Sequence, residues 1–194
     1  MNSDIKILKE LRDMTGVSVM QCKKALEEAQ GDMEKAKIIL AKKGAEAAHK
    51  KSDRALGAGT IGSYVHSTHE VAALVTLACE TDFVAKNEEF IALAREIAMQ
   101  VAAQDPKYIA KADVSDEAFE TAKEVFQKEV VDKPADMQEK ILEGKLTAYF
   151  KDQILIEQPF IKDPDKTIGD LVTAAIQKFG ENIAIAEISR ISVK

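Results

Sequence analysis

The 194-residue chain is 46% hydrophobic and 31% charged, a globular rather than a disordered composition, with room for one large domain or two small ones. No run approaches the ~18 consecutive apolar residues of a membrane span, and Met1-Asn2-Ser3-Asp4 lacks the basic-then-apolar opening of a secretory signal. The expectation is a cytoplasmic protein with no membrane partner. The net charge of −6 is uneven: residues 1–55 hold 12 Lys/Arg against 9 Asp/Glu, and the acidic remainder argues against a nucleic-acid-binding groove.

The first 45 residues read as three short helices. Ile5, Leu8 and Leu11 recur at helical spacing, and Thr15-Gly16 stops the run at a residue suited to a left-handed cap. Ser18 and Gln21 make a capping box for the second helix, whose buried face holds Cys22, Ala25, Leu26 and Ala29. Met20 falls nearly opposite that face, Val19 lies near its edge and Lys23 follows one turn along. Met20 is thus either an exposed patch for a partner or an ordinary surface methionine. Asp32 caps the third helix, lined by Met33, Ala36, Ile39 and Leu40 and expected to end at Gly44. A bundle this small buries little surface and is marginal alone.

Residues 46–57 read as a basic linker. The stretch from Ala45 to Lys51 favours helix but has no apolar stripe. The cluster Lys42, Lys43, Lys50, Lys51 and Arg54 fits a solvated linker, or contact with RNA or an acidic protein face.

The period then changes from helical to alternating. Thr60 to His66 and Glu70 to Cys79 read as an antiparallel hairpin around Ser67-Thr68-His69. His66 and His69 lack a third ligand nearby and read as polar turn residues rather than a metal pair. Glu80-Thr81-Asp82-Phe83-Val84-Ala85-Lys86-Asn87 follows, with an aromatic residue in a connection beside a carboxylate and a hydroxyl. Asn87 caps a long helix striped by Phe90, Ile91, Ala94, Ile97, Ala98 and Val101, and Asp105-Pro106 ends it. Phe83, Phe90 and Ile97 are seven apart, so a helix starting at Asp82 would bury Phe83. A helix capped at Asn87 leaves Phe83 outside, free to probe a partner.

Ser115 to Val131 reads as a helix with Phe119, Ala122 and Phe126 on one face. Another begins at Pro134 and runs through Met137, Ile141, Leu142, Leu146 and Phe150, the pair forming a layer or an arm. Gln158-Pro159-Phe160 reads as a turn, and Thr167 caps a helix through Ile168, Leu171, Ala175 and Ile176 that Gly180 ends. The alternation from Asn182 to Val193 supplies a third strand. The whole is expected to be α+β: a three-helix module (residues 1–45), the linker (46–57), then a core (58–194) with a small antiparallel three-stranded sheet covered by helices.

No catalytic constellation appears. There is no P-loop, no dinucleotide fingerprint and no G-x-S-x-G elbow, and no Ser or Cys has an assigned His partner. Cys22 and Cys79 stand outside any C-x-x-C pair and read as buried reduced thiols. A binding protein is expected rather than an enzyme, with no cofactor and no metal.

Thr15-Gly16, then Val19-Met20-Gln21-Cys22-Lys23-Lys24-Ala25-Leu26-Glu27-Glu28-Ala29 and Gly31-Asp32, resemble the N-terminal module of the translation elongation factor Ts family. Thr81-Asp82-Phe83-Val84-Ala85-Lys86 resembles the family's second signature, and Gly62-Ser63-Tyr64-Val65-His66 and Gln158-Pro159-Phe160 resemble further segments. The resemblance implies a ubiquitin-associated-like (UBA-like) three-helix module and a guanine-nucleotide exchange factor for elongation factor Tu. It implies that Val19, Met20 and Lys23 touch the GTPase's nucleotide domain, while Thr81, Asp82, Phe83 and Val84 enter it and disturb the Mg²⁺ site. Longer members carry two related core halves and this chain one, so a homodimer is expected, which also gives exposed sheet edges a partner. The rival reading is a GTPase- or ribosome-associated adaptor that docks without stimulating nucleotide release.

Overall fold

The structure is a computed structural model that describes residues 2–131 and 134–193, with the side chains of 2–4, 135 and 136 outside the description. The element order is α1 (Asn2–Thr15), α2 (Val19–Glu28), α3 (Met33–Lys51), β1 (Ala58–Val65), β2 (Val71–Cys79), α4 (Asp82–Ala85), α5 (Glu88–Gln104), α6 (Asp116–Val130), α7 (Ala135–Gln153), β3 (Pro159–Phe160), β4 (Asp163–Thr167), α8 (Ile168–Phe179) and β5 (Ile183–Ser192). The fold is α+β: β1, β2 and β5 form a three-stranded antiparallel sheet in the order β1-β2-β5, and β3 pairs with β4. Among the described residues no helix is long and apolar enough to cross a membrane.

The chain divides into two compact units, one of residues 1–62, 76–94 and 170–186, the other of 63–75, 95–169 and 187–194. In the first, α1 to α3 close around Leu11, Val17, Cys22, Ala25, Leu26, Ala29, Ala36 and Leu40, with Leu8, Met33 and Ile39 packed against them. The helical spacing of the sequence located this face, except that Ile5 lies exposed. Ser18 Oγ accepts the Gln21 N–H at 3.4 Å and Asp32 Oδ1 the Lys35 N–H at 3.0 Å, so both expected N-caps are made. Gly16, at φ +66°, supplies the left-handed residue that stops α1.

Gly44 does not end the third helix. The run Ala45-Glu46-Ala47-Ala48 carries enough helix propensity to continue α3 through it to Lys51. Gly44 is buried, and a Cβ there would stand 2.9 Å from Gln177 Oε1 and 3.3 Å from Thr173 Cγ2 of α8. The glycine therefore permits close helix approach. It does not act as a stop.

In the second unit α6 and α7 pack together over Ala122, Leu146, Phe150 and Ile154, with Phe126 and Leu142 beside them. Phe119 stacks on Phe150 with ring centres 5.8 Å apart, though it stays partly exposed, and Met137 is off the buried face. Gln158-Pro159-Phe160 is not a simple turn, because Pro159–Phe160 is the first arm of the β3–β4 hairpin. Buried Gln100 holds this hairpin: its Nε2 donates to Gln158 Oε1 and Pro159 O, both at 3.1 Å, and its Oε1 accepts the Ile161 N–H at 2.9 Å.

Candidate functional site

Strand β2 buries Ala73, Val75, Leu77 and Cys79 on one face, so it ends as a fixed rod. The chain then makes one turn of helix, α4, before α5 begins. Thr81 is its N-cap, with Oγ1 accepting the Val84 N–H at 3.5 Å. Asn87 Oδ1 accepts the Glu89 N–H at 2.9 Å and opens α5 separately. The stretch is thus neither an open loop nor an extension of α5.

That separation decides where Phe83 points. Phe90, Ala94, Ile97, Ala98 and Val101 are buried along α5, whereas Phe83 is 83% exposed. The seven-residue spacing does not carry the buried stripe back to Phe83, because the chain breaks helix at Asn87. Ile91, expected on that stripe, is 43% exposed. Within α4, Asp82 and Phe83 face solvent while Val84 (4%) and Ala85 (9%) are buried and anchor the turn. Thr81, Asp82 and Phe83 therefore share an exposed tip, and Val84 lies beneath it. Lys86 Nζ bonds Asp82 Oδ2 at 2.6 Å, and this bond holds the Asp82 carboxyl below its ordinary range.

The base of the tip is tied down by residues a hundred positions away. Glu181 Oε2 accepts the backbone N–H groups of Glu80 (3.1 Å) and Thr81 (3.0 Å), and Thr81 Oγ1 donates to Glu181 Oε1 at 2.6 Å. Glu80 Oε1 in turn accepts the Asn182 N–H at 2.6 Å and Arg54 Nη1 at 3.2 Å, which hold the Glu80 carboxyl low. Beneath them the buried Cys79 thiol donates to Thr81 O at 3.2 Å, and burial followed by the Glu181 charge pushes it up. The sequence did not point to Glu181. Its only signal is a position just after the Gly180 that ends α8.

On α2, Val19 (47%) and Met20 (66%) are exposed, and Lys23 reaches Glu27 at 3.8 Å across the surface. The i, i+3 and i, i+4 spacings place the three on one helix face, away from buried Cys22, Ala25 and Leu26. His66 Nδ1 lies 2.9 Å from Thr68 Oγ1 in the β1–β2 turn, a local turn bond.

The family profile for elongation factor Ts matches residues 21–194. The elongation factor Ts of Carboxydothermus hydrogenoformans is 48% identical over 187 residues, 95% of this chain and 86% of the relative. That of Thermodesulfovibrio yellowstonii is 47% identical over 97% of this chain and 94% of the relative. That of Thermotoga neapolitana is 46% identical over 100% and 98%. The chain belongs to the elongation factor Ts family. Within this elongation factor Ts chain, the tip and the α2 face both carry exposed apolar side chains, Phe83, Val19 and Met20, that the chain's own packing does not use. Of the two further family-like segments, Gln158-Pro159-Phe160 has a structural account, since Gln158 and Phe160 are buried and Gln158 Nε2 donates to Asp152 O at 2.7 Å.

Proposed function

We propose that the chain is a guanine-nucleotide exchange factor for elongation factor Tu that speeds GDP release by pressing the Asp82–Phe83 tip against the GTPase's Mg²⁺ and phosphate site. The observation that carries this reading is Phe83: a large apolar ring left 83% exposed on a capped, anchored turn, in a chain of this family. A GTPase holds its nucleotide by cradling phosphates and bridging them with Mg²⁺. A partner that deforms this region loosens those contacts together. Exchange breaks no covalent bond, so the reading requires no catalytic residue and no cofactor.

Val19, Met20 and Lys23 form the second contact. The helical module of residues 1–45 and the core of 58–194 each bring one surface to the partner, joined through residues 46–57. The work is done in the cytoplasm, without direct nucleic-acid binding.

A homodimer belongs to the same reading. Both β1 and β5 are edge strands, and Val65, Ile191 and Val193 at their ends are exposed apolar residues. Sedimentation at micromolar concentration is expected to give a dimer, and a monomer with full exchange activity rules the pairing out. The exchange reading is tested by release of fluorescent GDP from elongation factor Tu. Acceleration upholds it, and binding without acceleration returns the chain to the adaptor reading.

A further inference from the structure

A single turn of helix cannot hold its own shape, because nucleating it orders several residues for one hydrogen bond. The α4 tip therefore needs an outside anchor, and Val84 and Ala85 fasten only its far side. The near side is fastened by Glu181, whose two oxygens accept three hydrogens from Glu80 and Thr81. The next residue faces elsewhere. Asn182, 6% exposed, donates its Nδ2 hydrogens to the carbonyls of Arg54 (2.9 Å) and Ser52 (3.3 Å), in the chain leaving α3. Its backbone N–H returns to Glu80 Oε1 at 2.6 Å, where Arg54 also arrives.

Two adjacent residues thus join the base of the tip to the end of the third helix. They are delivered by α8, which is seated on α3 where Gly44 lacks a side chain and which ends at Gly180 in a left-handed turn, φ +75°. These bonds also bear on binding, because an unfastened tip has to be ordered at the moment it meets a partner.

We infer that Glu181 and Asn182 are positioning residues for exchange: they hold the Phe83 tip in one orientation relative to the helical module, so that tip and α2 face engage the GTPase together. This rests on the exchange reading. Glu181 is the member to test, because two of its three bonds, those from the Thr81 N–H and hydroxyl, are exposed, where water can satisfy these groups once it is gone.

The experiment compares wild type, Glu181→Ala and Glu181→Gln, first by amide hydrogen exchange of the free chain. Glu181→Ala is expected to speed exchange at residues 80–85 by ~10-fold, with the α5 amides of 94–101 unchanged. It is then expected to lower the maximal GDP-release rate at saturating factor by ~10-fold while the half-saturating concentration moves less than ~3-fold. Glu181→Gln keeps one oxygen acceptor and recovers part of both effects. Unchanged amide exchange at the tip overturns the inference, and so does a loosened tip with wild-type release kinetics. Loss of protection throughout the chain in both variants assigns Glu181 to folding and overturns it too. A wild-type chain that leaves GDP release unassisted removes the exchange reading and this positioning role with it, while loosening in the hydrogen-exchange arm still identifies Glu181 as the anchor of the tip.

Discussion

Replacing Phe83 with alanine separates binding from folding, because the free chain leaves 83% of the residue in water. Surface substitutions of this kind stay within ~0.5 kcal/mol of neutral. For a chain of this length that moves the melting midpoint by only ~1–2 °C. The same exposure means that nearly all the ring's apolar area is available to be buried in a partner. Full burial of a phenylalanine is worth ~1.5–3 kcal/mol, which at 1.4 kcal/mol per decade is a loss of ~10–150-fold in the efficiency of GDP release. The assay is stopped-flow release of fluorescent GDP from elongation factor Tu over a range of factor concentrations, with thermal unfolding as the control. Wild-type release kinetics from the Phe83→Ala chain refute the reasoning, since an exposed ring with no effect on release is only an exposed ring.

Phe90→Ala should behave in the opposite way. That ring is fully buried and meets Phe179 edge-to-face with centres 5.9 Å apart, so ~3–5 kcal/mol of stability should be lost in urea unfolding. Met20→Ala should raise the half-saturating factor concentration by ~3–10-fold and leave the maximal release rate and the melting midpoint near wild type, as removal of an exposed contact does. The Glu80 carboxyl is held low by the Asn182 N–H and then Arg54, so its contribution is complete above the ordinary glutamate range and is lost as pH falls through that range toward the depressed value. Thermal unfolding between about pH 6 and pH 3 should therefore show a shallower acid limb in Glu80→Gln than in wild type.

The sequence was most legible where one local rule settles the matter. The helical spacing of Cys22, Ala25, Leu26 and Ala29 placed the buried face of α2, and the alternation after residue 60 placed the strands of the sheet. Asn87 as a cap was enough to put Phe83 outside α5, although α4 itself was missed. One turn with Thr81 as its cap looks like any connection until Val84 and Ala85 are seen to be buried. Gly44 misled because a glycine in a helix reads as a stop, whereas here it makes room for Gln177 from a helix far along the chain. Asp163–Thr167 carries Asp, Pro and Lys, poor strand formers, so β4 was illegible without its pairing to Pro159 and Phe160. Glu181 was beyond reach for the same reason: its meaning lies in bonds to Glu80 and Thr81, and no local pattern encodes them.

A rigid tip also has a thermodynamic consequence. A flexible segment would adapt to the nucleotide-bound GTPase and bind both nucleotide states alike, and a partner with equal affinity for two states shifts neither. A tip fixed by a strand, a cap and the Glu181 carboxylate adapts less, and the exchange reading then requires it to fit the nucleotide-poor state better than the nucleotide-bound one. Linkage then requires that GDP weaken the factor's binding by the same ratio that the factor weakens GDP. Calorimetric titration of this chain into elongation factor Tu, with and without saturating GDP, should give an affinity ratio equal to the ratio of GDP affinities measured with and without the chain. The expected size is ~10–150-fold if the Phe83 ring supplies most of the coupling, and Phe83→Ala should collapse both ratios toward one. Equal affinity of the wild-type chain for both nucleotide states refutes the rigid-tip account.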